Sequence, residues 1–237
     1  MADNEIRWAL WDAFEHIYQV SQDYDTSYSA IRIILHDDVN VELDDSGDAS
    51  DFYDNSDGVL EQWHDNFEDY TDADKGNHLL LDERHEYSDA ARVTEIGSDY
   101  EPAFEQRRSA VIGVGGNPEI ARGLAVMEAL HNLIDSESVS EVQDMIDSGG
   151  HMHEHDLGTL QFGPDYDGEV TPMACLYTGG EGSEVWEKYN EGRDVTYHVE
   201  HGQCSVDRDY WNGEYTVIPS ECTIDAVKYT RDALYSL

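Results

Sequence analysis

Residues 124–135 read LAVMEALHNLID. Apolar residues recur at the three- and four-residue spacing of a helix. Upstream, Asn117 supplies a capping oxygen, Pro118 takes the first helical position and Glu119 puts an acid in the first turn, so the sequence predicts a helix to about Asp135. Glu128 and His131 are three residues apart and share a face of it. The preceding SAVIGVGG, residues 109–116, reads as a strand and a glycine-rich turn. The fold is therefore expected to be organised around a strand, a turn and this helix.

Charge is the strongest compositional signal. Asp and Glu number 53 against 13 Lys and Arg, a formal net charge of -40. A Lys/Arg stripe that could neutralise phosphates is absent, which argues against nucleic acid as a partner. Hydrophobic content of 39%, with 5 Trp and 15 Tyr, nevertheless supports a folded chain with its acids on a solvated shell. Lys75, Lys188 and Lys228 are the only lysines, a balance that resembles halophilic, archaeal proteins working in molar salt. The Debye length there falls to about 3 Å, so neighbouring carboxylates hardly repel. No run of about 18 apolar residues predicts a membrane span, and MADNEIRWAL lacks the features of a signal peptide. The expectation is a soluble chain, either in the cytoplasm of a halophile or extracellular as a mature form whose leader has been removed.

The 237 residues suit one domain, with a sheet-and-helix part over 1–135 and a second part over 136–237. EIRWALWDAFEHIYQV (5–20) places Ile6, Leu10, Ala13, Phe14 and Ile17 on one helical stripe, with Trp8 and Trp11 widening it and His16 structural. SAIRIILHDDVNVEL (29–43) is predicted as a strand and GVLEQWHDNFEDY (58–70) as a helix. NHLLLDERHEY, ARVTEIG and SAVIGVGG supply three further short strands. The acidic loop before Gly58 does not satisfy the calcium-loop pattern, because Tyr53 stands where an acid is needed. TIDAVKYTRDALYSL (223–237) closes the chain as a helix. The sum is an α+β chain with a mixed, twisted sheet backed by helices.

Three cysteines and no CxxC pair exclude a thiolate zinc cage. Cys204 and Cys222 flank a segment in which Asn212-Gly213 is a hairpin signal, and folding about that turn would bring them nearly opposite. A disulfide and two half-buried free thiols both fit this arrangement.

In an H-E-x-x-H helix, two imidazoles face one metal and the glutamate is general base for the hydrolytic water. MEALH keeps Glu128 and His131 but has Met127 where the first histidine would stand. The order of elements over roughly 30–175 resembles the metzincin branch of zinc metallopeptidases. LHNL reads like the end of that family's motif, HEHDLG like a displaced supplier of its third histidine, and VTPMA, with Met173, like its methionine turn. The resemblance implies a single zincin-like domain with an active-site helix and a C-terminal hairpin plus helix. It also implies Zn2+ held by His131, His155 and His151, with Glu128 as catalytic base, Met173 and Met127 supporting the site, and a peptide or protein as substrate. Here His151, His153 and His155 follow His131 by twenty to twenty-four residues, against six in the family, so a long insertion must fold back.

Two other readings compete. An under-ligated site at Met127 would leave an inactive zincin-like module that binds a protein partner or a structural metal. The Gly113–Gly116 turn, between a strand and a helix N-terminus, could instead hold a dinucleotide pyrophosphate, although Pro118 replaces the last glycine of that pattern.

Overall fold

The computed structural model describes residues 2–22, 63, 76–82, 107–113, 118–146, 154–158, 160–162, 168–174, 204 and 217–235. The strands expected at 29–43 and 91–97, the Asn212-Gly213 hairpin and the acidic loop before Gly58 lie outside them. So does the helix expected at 58–70, apart from Trp63.

The described elements are α1 (Ala2–Gln22), β1 (Gly76–Asp82), β2 (Arg107–Gly113), α2 (Pro118–His131), α3 (Ser140–Met145), β3 (Leu160–Phe162), β4 (Gly168–Val170) and α4 (Glu221–Tyr235). Single 3-10 turns cover Glu154–Leu157 and Pro172–Ala174. β1 and β2 pair in parallel, from Gly76 opposite Arg107 to Asp82 opposite Gly113, whereas β3 and β4 form a separate antiparallel pair. Together these give an α+β composition of helices with a small parallel sheet. No described helix is long and apolar enough to cross a membrane.

The centre of the fold is α2, the helix of the LAVMEALH stretch, in which every residue from Leu124 to Leu130 is buried. A helix apolar on all sides must be covered on all sides. α1, the β1–β2 pair and the Pro172–Ala174 turn all pack against it. From α1 come Ala9, Ala13 and Ile17, which join Leu124, Met127 and Leu130 in one cluster with Ile224 and Val227 of α4. A second cluster joins Ile6 of α1 and Ile112 of β2 to Ala121 and Ala125. Ser109 to Ile112 are completely buried, as the near-continuous apolar reading of that strand implies.

Trp8 and Trp11 do not widen the α1 stripe: they are 60% and 44% exposed. At 100° per residue, the stripe through Ile6, Ala9, Ala13 and Ile17 leaves both indoles on its outer side, and the Trp11 Nε1 donates to Glu15 one turn on, at 2.8 Å. The small Ala9 and Ala13 let α2 approach closely. Among the described residues the buried indole is that of Trp63, its Nε1 donating to the His78 carbonyl at 3.0 Å.

α2 ends without glycine or proline, by tightening. The Leu133 and Ile134 amides bond to the carbonyls of Leu130 and His131, three residues back. Leu133 thus does not serve the Ala129 carbonyl, which accepts instead from Asn77 Nδ2 of β1 at 2.9 Å. Asn77→Leu is expected to strand that carbonyl and cost about 1–3 kcal/mol, read as a lowered denaturation midpoint with an unchanged m-value. After the helix, Asp135 Oδ1 accepts from the amides of Glu137 and Ser138, an Asx turn that steers the chain into α3.

α4 begins at Glu221, two residues before the sequence reading placed it, because Ser220 is its cap: the Thr223 amide donates to Ser220 Oγ at 3.1 Å.

Candidate functional site

The C-terminal end of α2 collects the ionisable groups. Glu128 is buried with 3% exposure, and His131 is the helix's last residue, with 18% of its side chain exposed. The turn Glu154–Leu157 meets it there. His131 Nδ1 is hydrogen-bonded to Glu154 Oε2, and Ser136 Oγ donates to Glu154 Oε1. One carboxylate therefore holds the imidazole with one oxygen and is itself held through the other. Asn132 follows His131 directly and is completely buried, with neither amide atom hydrogen-bonded.

Electrostatics follows from this crowding. Burial pushes the Glu128 carboxyl up to about 7; the nearby His131 charge works against the rise and the Glu154 charge adds to it. Burial alone would lower the His131 pKa, but the Glu154 hydrogen bond and the Glu154 and Glu128 charges outweigh it, so the net direction is upward. A cation at a helix C-terminus is also favoured by the helix dipole. A carboxyl that titrates near neutrality beside an imidazole oriented by a second carboxylate can accept and return protons near pH 7.

The predicted site residues fall as follows. Glu128 and His131 lie where the helix reading put them. His155 sits on the turn that reaches α2, next to Glu154, and its side chain lies outside the described residues, as does all of His151. Met127 (2% exposed) and Met173 (0%) belong to the same core cluster as Leu130 and Leu157. Gly113 ends β2, and residues 114–116 lie outside the described residues. Among the described residues, no group of three or more His, Cys, Asp or Glu side chains is arranged to hold a metal.

Sequence reasoning passed over Glu154 and Ser136. The signal for Glu154 was its place between His153 and His155, but one acid among 53 acidic residues carries little information until its partner is known.

Cys204 and Cys222 form a disulfide, with Cα atoms 5.9 Å apart. Cys222 lies in the first turn of α4 rather than on a strand, so a helix N-terminus presents it to Cys204.

No family model matches the chain, and neither the curated proteins nor the solved structures contain a significant match.

Proposed function

We propose that the chain is a metzincin-like, zinc-dependent peptide hydrolase adapted to high salt, with its centre at the C-terminal end of α2. The observation that supports this is the meeting of two sequence-distant segments, through His131 and Glu154. A carboxylate on one ring nitrogen is the usual way a metal-ligating histidine is oriented, because it fixes the tautomer whose other nitrogen carries the lone pair. Three imidazoles are a donor set of the kind zinc takes, and His131 would supply one with His155 and His151 the others. Zinc does not fit at Met127, a core side chain with a soft thioether. Zinc, when bound, would supply Lewis-acid polarisation and a more acidic water. Glu128 would move the proton, Glu154 would hold the His131 ring, and Ser136 would hold Glu154.

A second reading, an inactive zincin-like module, is favoured by Met127, a buried core side chain standing where the motif has its first histidine ligand.

Metal analysis and peptide cleavage in molar salt separate the two. The hydrolase should carry zinc after purification, and Glu128→Gln should keep the metal while losing at least about a hundredfold in cleavage rate. Protein that stays inactive after zinc reconstitution would leave the module.

A further inference from the structure

We propose that the Cys204–Cys222 disulfide is a redox latch on the turn that places Glu154 against His131. On the side away from Glu154 the turn has two attachments at the start of α4 and one at Cys204. Ser220 Oγ donates to the Leu157 carbonyl, and Thr223 Oγ1 donates to the same oxygen at 3.0 Å. The third is the Cys204 amide, which donates to the Gly158 carbonyl at 3.0 Å. The hydroxyl pair comes from α4 itself, whereas Cys204 belongs to a different part of the chain and is joined to α4 by its bond to Cys222. The Cys222 amide also donates to Cys204 Sγ at 3.3 Å. The covalent bond thus closes a ring: α4, Cys204, Gly158, Leu157 and back to α4. Glu154 opens the turn that ends at Leu157.

Opening the latch is a two-electron reduction by a dithiol. A thiolate of the reagent attacks Sγ of Cys222, the half-buried member, forming a mixed disulfide and releasing Cys204 as a thiolate that takes up a proton. The reagent's second thiolate then attacks its own sulfur in the mixed disulfide. Cys222 leaves and is protonated, and the reagent ends as the oxidised disulfide. With the disulfide open, the Gly158 attachment loses its covalent tie to α4, while the two hydroxyls, the Glu154 contacts to His131 and Ser136 and the burial of Leu157 remain.

The proposal goes beyond the hydrolase reading and does not need it. Hydrogen exchange of the full chain in molar salt tests it, before and after treatment with dithiothreitol, with alkylation and peptide mapping to show that Cys204 and Cys222 have been reduced. Exchange over 154–158 and at Cys204 should rise by about a hundredfold, the scale of closing a loop of this separation, while α1 and β2 keep their protection. Thr223→Val should loosen the same turn to a smaller extent with the disulfide intact. Unchanged exchange over 154–158 after complete reduction would overturn the latch. So would a rise everywhere, since the bond would then hold the whole fold rather than one turn. A local rise in protein that neither binds zinc nor cleaves peptides would keep the latch and remove the hydrolase.

Discussion

A Glu128→Gln protein should be more stable than its parent above pH 7, by up to about 3 kcal/mol at pH 8, and no more stable at pH 4. The folded carboxyl titrates near 7 instead of 4.5 because it is buried, so between those values the folded state binds more protons than the unfolded chain. Stability carried by that proton is fully present below pH 4.5 and is lost as pH rises through about 7. His131 acts in the same direction, since its folded pKa also lies above its ordinary 6.5. The parent should therefore weaken steadily from about pH 5 to pH 8 in thermal or denaturant melts at fixed molar salt, and the variant should show a flatter profile. Parallel profiles for the two proteins would mean that Glu128 is solvated and that the proton-handling role assigned to it is wrong.

The second large effect concerns Met127. Restoring the histidine of the full motif, Met127→His, should destabilise the metal-free protein by about 2–4 kcal/mol, because it puts an imidazole into a cluster of Leu130, Leu157 and Met173 where no polar partner is described. Met127→Leu, which keeps volume and polarity, should cost less than about 1.5 kcal/mol. The informative arm is zinc. If the position is a lapsed ligand, zinc at a hundredfold excess over its dissociation constant should return about 2.7 kcal/mol to the histidine variant, and that variant should bind zinc more tightly than the leucine variant does. A histidine variant that zinc does not rescue would make Met127 a packing residue and the E-x-x-H spacing a coincidence.

How far the sequence could be read depended on whether a signal was local. The start of α2 was legible because Asn117, Pro118 and the first apolar positions act within a few residues of one another, whereas its end was not: the helix stops at His131, four residues short of the expected Asp135, where the Leu133 and Ile134 amides turn to carbonyls three residues back. The burial of β2 was legible from Ala110, Val111 and Ile112. α1 was legible as a helix, but its indoles were misassigned: hydrophobicity alone does not tell which side of a helix a neighbour will occupy, and the alanines at 9 and 13 were the better guide because close approach needs small residues. The closeness of Cys204 and Cys222 followed from an expected hairpin, whereas it is the capped start of α4 that presents Cys222. The contact between His131 and Glu154 depends on the course of the chain between them, for which no pattern within a window of a dozen residues exists.

α2 also ties the order of synthesis to the appearance of the site. Its flank is completed by Ile224 and Val227, and the Leu157 carbonyl is held by Ser220 and Thr223, all at the beginning of α4. On a ribosome, α2 and the histidine-bearing segment emerge well before these partners. The nascent chain carries α2 covered by α1 and the β1–β2 pair but without the Ile224 and Val227 side of its cluster until α4 arrives, which makes that interval the natural window for a chaperone.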